Sequence, residues 1–194
     1  MKVGITGGLG FVGTNFAREA LQSGWVEEFV VLDNLTNPSG DFPGSVDGMQ
    51  VLEGDIRSQA DVDALCGAGI DVLVHLAGHT RVMDSIEDPM LNFQINVDGT
   101  VKLLESCRQK GVQKVVIAST GGAILGEVPP PIHEEIAAKP AAPYGASKLA
   151  CEGYGWAYSQ SFGMNVVSLR FSNLYGPFCR RKKSVVAAFS STTI

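Results

Sequence analysis

The chain has no excess of positive charge, no long apolar run and no clustered cysteines, and each absence removes a class of function. Its 15 Lys and Arg stand against 20 Asp and Glu, a net charge of −5 over 194 residues. A surface that neutralises phosphates needs a basic excess, so a nucleic-acid partner is not expected. No apolar stretch reaches the roughly 20 residues of a membrane-spanning helix, so no membrane partner is expected either. Met1-Lys2 runs straight into a strand and a glycine loop. That leaves no room for a signal peptide, and a cytoplasmic location is the expectation. The four cysteines, Cys66, Cys107, Cys151 and Cys179, are widely spaced, with no C-x-x-C pair and no neighbouring His cluster. No metal site and no disulfide framework is expected, and reduced thiols are the default.

Glycine, by contrast, is plentiful at 23 residues, several of them placed where backbone must approach a ligand closely. Hydrophobic residues make up an ordinary 45%. The length fits one α/β domain, or one domain and part of another. Apolar runs alternate with helical patterns along the chain. Val3-Gly4-Ile5, Phe29 to Leu32, Val51-Leu52, Val72 to Leu76, Val115 to Ile117 and Val166 to Leu169 read as six strands. Phe11 to Ser23 and Ser58 to Cys66 read as helices, and Met90 to Lys110 as the longest helical stretch, with Phe93, Val97, Val101 and Leu104 at helical spacing. Tyr144 to Phe162 is a further helix; Gly24, Gly111 and Gly163 supply stop signals. The expected fold is a doubly wound parallel sheet of Rossmann type.

Thr6-Gly7-Gly8-Leu9-Gly10-Phe11-Val12-Gly13 follows a strand and opens a helix. Such a loop lets a pyrophosphate lie against backbone N–H groups at the positive end of a helix. Glycine turns alone are common. Asp33, however, lies at the end of the second strand, where a carboxylate accepts hydrogen bonds from the adenosine ribose hydroxyls and repels a 2′-phosphate. The pair points to NAD rather than NADP. The competing reading is a structural glycine turn with a capping Asp. Asp55, in Gly54-Asp55-Ile56 after the third strand, could meet adenine or simply serve a turn.

Tyr144 and Lys148 stand at i and i+4 on one helix face. A phenol titrates near 10; a nearby ammonium and a positive nicotinamide would lower that value and make it a usable base. Lys148 could also hold the nicotinamide ribose. Ser119 or Thr120, after the fifth strand, could supply a hydroxyl to the reacting oxygen.

Together these stretches resemble the extended short-chain dehydrogenase/reductase superfamily, in particular its NAD-dependent nucleotide-sugar epimerases and dehydratases. The similarity continues through His75-Leu76-Ala77-Gly78, Asn96-Val97-Asp98-Gly99-Thr100 and Arg170-Phe171-Ser172-Asn173-Leu174-Tyr175-Gly176-Pro177, in the family's order. It implies that Gly7, Gly10, Phe11 and Val12 contact the pyrophosphate, Asp33 and Asn34 the ribose, and Asp55 and Ile56 the adenine. It places Leu76, Ala77, Gly78 and Asn96 along the cofactor, and Asn173 at the substrate diphosphate. Thr120, Tyr144 and Lys148 become the catalytic set, with Ser119 the second choice for the hydroxyl. His75 is read as a strand residue facing the core. Gly121-Gly122 stands where the dehydratases carry an Asp-Glu pair, so epimerisation of a UDP-sugar, as in UDP-glucose 4-epimerases, is expected over dehydration. A non-catalytic NAD-binding module, a decarboxylase and a reductase are the alternatives.

Residues 1–177 are expected to form the NAD-binding domain and 178–194 the start of a substrate-binding region, the rest of which is largely absent. The basic run Arg180 to Lys183 resembles a segment that approaches the nucleotide, although a solvated loop is the simpler reading. The resemblance also implies a homodimer through a four-helix bundle of the Met90–Lys110 and Tyr144–Phe162 helices, unless those faces pack within the monomer.

Overall fold

The computed structural model describes residues 1–38 and 48–179. The basic run from Arg180 therefore lies outside the described residues. Six strands, β1 (Lys2–Thr6), β2 (Glu28–Asp33), β3 (Met49–Glu53), β4 (Val72–His75), β5 (Lys114–Thr120) and β6 (Asn165–Phe171), form a single sheet. All pairings are parallel and the spatial order is β3-β2-β1-β4-β5-β6. This is the Rossmann order, with the strand sequence reversing between β1 and β4; ligands of such sheets bind at that switch point, beyond the strands' C-terminal ends.

Alternation along the strands splits the core in two. Val3, Ile5, Phe29 and Val31 pack with Ala17 and Ala20 of helix α1 (Phe11–Gln22) on one face. Val30, Leu32, Leu73, Val115 and Ile117 meet α2 (Gln59–Cys66), α5 (Gly99–Lys110) and α7 (Pro143–Phe162) on the other. The register brings Thr6 level with Leu32 on one side and His75 on the other, so the ends of β1, β2 and β4 finish together.

The expected helix over Met90–Lys110 is not continuous. Asp88 caps a short α4 (Pro89–Phe93) by accepting from the Leu91 N–H at 2.8 Å, a π turn covers Gln94–Asp98, and α5 follows. A π turn widens the ladder and is a recurrent feature of functional sites; here it carries Asn96 inward to three hydrogen bonds described below. The predicted apolar stripe shifts accordingly: Phe93 is exposed, and Leu103, Leu104 and Cys107 face the core. Two short helices escape the sequence pattern, α3 (Val82–Glu87) and α6 (Gly121–Leu125). The first is too short for a period to register, and the second opens on two glycines, poor helix formers.

Glycine's cost and use are both measurable here. A Cβ on Gly13 would sit 2.5 Å from the Gly8 backbone, whereas one on Gly153, inside α7, meets nothing within 4 Å. Gly13→Ala should therefore destabilise the fold by roughly 1–3 kcal/mol. Gly153→Ala should stabilise it by about 0.5–1 kcal/mol. Urea unfolding of both variants reads the difference in sign.

Candidate functional site

Beyond β1 the backbone turns sharply through Gly7, whose φ of +67° suits glycine and whose N–H donates to Leu32 O at 2.8 Å. A Cβ there would lie 2.7 Å from the Ala77 nitrogen, so the loop can run against the end of β4 only without a side chain. Gly10 is the N-cap of α1 and has no side chain of its own to cap the helix, and no acid occupies the first turn. A positive helix end beside a tight glycine loop suits a diphosphate.

Asp33 ends β2, nearly buried, and its two carboxylate oxygens accept from the Leu9 N–H at 3.0 Å and the Leu35 N–H at 2.9 Å. It thus braces the glycine loop. Asp55 is tied more completely. Oδ1 accepts from the Arg57 N–H and Nε, both at 2.9 Å, and Oδ2 from Arg57 Nη2 at 2.8 Å and Asn34 Nδ2 at 3.1 Å. The Arg57 hydrogen bonds hold its carboxyl at about 2, below the ordinary value. All of the roughly four acceptor positions of a carboxylate are used within the chain. Ile56 is buried behind Asp55 and packs against Gly99.

Beyond β4, Leu76 N–H donates to Thr6 O at 3.0 Å and Ala77 N–H to Thr6 Oγ1 at 3.2 Å. Gly78 comes next, where a Cβ would lie 3.1 Å from Asn96 Oδ1 and 3.2 Å from Lys148 Nζ. Asn96 accepts from the His79 N–H at 2.7 Å and donates to His79 O at 3.1 Å and Ser147 Oγ at 2.9 Å. Its side chain clamps the backbone of the Gly78–His79 strip to α7.

Tyr144 lies in the first turn of α7, and the nearby Thr120 hydroxyl acts to lower the pKa of its phenol. Ser119 Oγ points elsewhere, donating to Glu152 Oε1 at 2.6 Å, and Glu152 is held by Arg170 Nη2 at 2.7 Å. Of the two candidate hydroxyls, Ser119 is engaged by the scaffold, and Thr120 is the one that bears on the phenol's pKa. Lys148 is buried and its ammonium donates to Ala118 O at 2.9 Å; burial pushes its pKa down. Burial also pushes the Tyr144 phenol up, with the Thr120 hydrogen bond opposing. The lowering expected from Lys148 is therefore not supplied by the chain alone. Asn173 lies exposed just past β6.

Residues 3–194 match the NAD dependent epimerase/dehydratase family. The chain belongs to this family. A putative UDP-glucose 4-epimerase of Methanocaldococcus jannaschii is 33% identical over 180 residues, which are 89% of this chain and 55% of that protein. The Thermus thermophilus UDP-glucose 4-epimerase in complex with NAD superposes with a TM-score of 0.87 at 40% identity, over 99% of this chain and 61% of that one. A dTDP-glucose 4,6-dehydratase of Streptomyces venezuelae with NAD bound gives 0.87 at 29% identity, over 99% and 62%. The chain thus spans between half and two thirds of the length of these relatives.

NAD is the cofactor of this epimerase/dehydratase family, and the residues present fit it. The Gly7 and Gly13 positions exclude side chains from the loop, a carboxylate, Asp33, stands at the end of β2 beside it, and the Gly78 strip leaves the Lys148 ammonium without a covering Cβ. Among the described residues no group of His, Cys, Asp or Glu could hold a metal, and no helix is long and apolar enough to cross a membrane.

Sequence reasoning passed over three supports of this site. Ser85 of α3 is buried and its Oγ accepts from the Tyr144 N–H at 3.1 Å, fixing the start of α7. Glu152, four residues beyond Lys148, pairs with Arg170 of β6; that spacing was a usable signal. His75 is buried, as expected, but it is fully hydrogen-bonded: Nδ1 lies 2.6 Å from Thr6 Oγ1 and Nε2 2.9 Å from Thr100 Oγ1. The Thr100 hydroxyl donates to Asn96 O, so it accepts from His75 Nε2–H, and the bare Nδ1 accepts from the Thr6 hydroxyl. His75 is thereby neutral, with burial pushing its pKa down to about 3.

That value carries a sign. Between pH 6.5 and about 3 the unfolded imidazole binds a proton that the folded one refuses, so stability rises with pH across this window and is lost on acidification. Loss of the Asp55 contribution follows only below pH 4. Unfolding free energies measured by urea at a series of pH values should fall from pH 6.5 downward, and His75→Gln should flatten that slope. An unchanged slope in the variant contradicts the assignment.

Proposed function

We propose that this chain carries the oxidoreductive half of a nucleotide-sugar 4-epimerase acting on a UDP-sugar, with UDP-glucose as the first candidate. The observation that carries the reading is the placement of Lys148, on the helix that also bears Tyr144, with its Nζ 3.2 Å from the Gly78 Cβ position beyond β4, beside a fitted dinucleotide loop. NAD, when bound, takes two electrons from C4 of the sugar and returns them. The chain's own residues manage the proton and the geometry. Tyr144 Oη removes the proton of the C4 hydroxyl and later returns it. Thr120 holds that phenol and the sugar oxygen in line. Lys148, anchored on Ala118 O, has the position to hold the nicotinamide ribose and to favour the phenolate, while the added positive charge of the cofactor offsets the burial that raises the phenol. Gly7, Gly10, Phe11 and Val12 cradle the pyrophosphate, Asp33 and Asn34 the ribose, and Leu76 to Gly78 line the cofactor with Asn96 behind them. Asp55, saturated by Arg57 and Asn34, shapes the adenine edge through Ile56 and its backbone. Asn173 meets the substrate diphosphate.

Dehydration is the second reading, since a dehydratase is among the similar structures. It would need an acid and a base beside Thr120, and α6 offers Gly121-Gly122 there. A homodimer is supported by an apolar stripe on α7, Ala146, Ala150 and Tyr154, flanking a groove of about 240 Å³ shared with Pro89, Phe93 and Val97; sedimentation velocity tests it.

The decisive assay offers UDP-glucose and UDP-N-acetylglucosamine with NAD to this chain and, in parallel, to a longer gene product. Conversion to the 4-epimer supports the reading; loss of water from the sugar selects dehydration; NAD binding without turnover by either protein leaves a binding module. Tyr144→Phe should reduce turnover about 10²–10⁴-fold, and a variant of normal rate removes the proposed base.

A further inference from the structure

Cys66 and Cys107 are 41 positions apart in the chain, yet their Sγ atoms lie 3.6 Å from each other in the core. Cys66 is the last residue of α2 and Cys107 lies in the last turn of α5, and these two helices pack side by side on one face of the sheet. We propose that this pair is an oxidisable dithiol site that closes to a disulfide when met by a small peroxide. Three observations support it.

First, the sulfurs are already in contact, about 1.5 Å beyond the roughly 2.05 Å of a disulfide bond. Second, the two thiols are unequal. The Cys107 contact pulls the Cys66 thiol below its ordinary value, whereas burial and the same contact push Cys107 up. Cys66, at the end of its helix, is assigned the attack, since the thiolate is the nucleophile. Third, Cys66, itself buried, stands at the end of its helix. Gly67 follows, then Ala68 and then Gly69, whose φ of +74° has no atom within 4 Å of its Cβ position. Helix ends of this kind open locally at low cost, and such opening exposes Cys66 while Cys107 stays in the interior.

The chemistry balances with hydrogen peroxide as oxidant. The Cys66 thiolate attacks one peroxide oxygen, the O–O bond breaks, and the departing oxygen leaves as water after protonation, giving a sulfenic acid. Cys107 then attacks the Cys66 sulfur and a second water leaves. Two thiols and one peroxide become one disulfide and two waters. The site differs from the other two thiols: Cys151 donates to Asn96 O at 3.1 Å, and Cys179 has no sulfur neighbour among the described residues. It also stands apart from the cofactor edge. Cys107 is eight residues along α5 from Gly99, about 12 Å at helical rise, so NAD binding is expected to survive oxidation.

The test is peptide mapping of the full chain after brief peroxide treatment and alkylation under denaturing conditions. The expected product is a cross-linked peptide pair containing Cys66 and Cys107, with the two thiol hydrogens missing from the intact mass and both recovered with dithiothreitol. Cys66→Ser and Cys107→Ser should each abolish the cross-link, and Cys179→Ser should not. Closing a loop of this length should raise the melting temperature by roughly 5–15 °C, reversibly. Recovery of Cys66 and Cys107 unlinked, as free thiols or as separately oxidised acids, overturns the proposal, as does a cross-link that uses Cys151 or Cys179 instead.

Discussion

A directed line of hydrogen bonds crosses the C-terminal edge of the sheet, and the site depends on it. Ala77 N–H donates to Thr6 Oγ1, the Thr6 hydroxyl to His75 Nδ1, His75 Nε2–H to Thr100 Oγ1, and the Thr100 hydroxyl to Asn96 O. Each member is buried or nearly so, and an unpaired polar group there would cost about 1–3 kcal/mol. The line is complete only with a neutral imidazole in one tautomer. It fixes the end of β1, from which the glycine loop departs, against the end of β4 and against the π turn that presents Asn96. Disturbing one donor disturbs the relative position of all three.

Asn96 transmits that order to the catalytic helix. Its side chain holds the His79 backbone and Ser147, one residue from Lys148. From the other side, Glu152 and Arg170 tie α7 to β6, and Ser119 is drawn into that pair. The division of labour between two adjacent hydroxyls follows from this: alternate residues of β5 face opposite ways, so Ser119 braces the scaffold while Thr120 bears on the Tyr144 phenol. The phenol proposed as the base thus rests on groups that are themselves fixed, which is what orientation-dependent catalysis requires.

Much of this was legible in the residues. The six strands and the glycine stops at Gly111 and Gly163 follow from apolar runs and from backbone that adopts left-handed φ. The glycine loop with Asp33 at the end of β2 announces the dinucleotide site because each element has a short-range reason to be there. What stayed hidden depends on contacts between distant segments. The π turn leaves no trace in a periodicity that one extra residue merely blurs. Asp55 reads as a free acceptor until Arg57 and Asn34 are seen to fill it. His75 reads as core because a buried imidazole and a buried leucine look alike until partners on β1 and α5 are brought beside it. The contact of Cys66 with Cys107 is invisible at a separation of 41 residues. The proposed preference for epimerisation over dehydration rests on Gly121-Gly122, where an absence of side chains is the signal.

The account rests on a site that reads NAD through Asp33 and the glycine loop. Calorimetric titration of the purified chain, freed of carried nucleotide, with NAD and then NADP tests it most directly. The account predicts saturable binding of NAD and much weaker binding of NADP, whose 2′-phosphate meets the Asp33 carboxylate. Absence of NAD binding, or NADP bound as tightly as NAD, would contradict it.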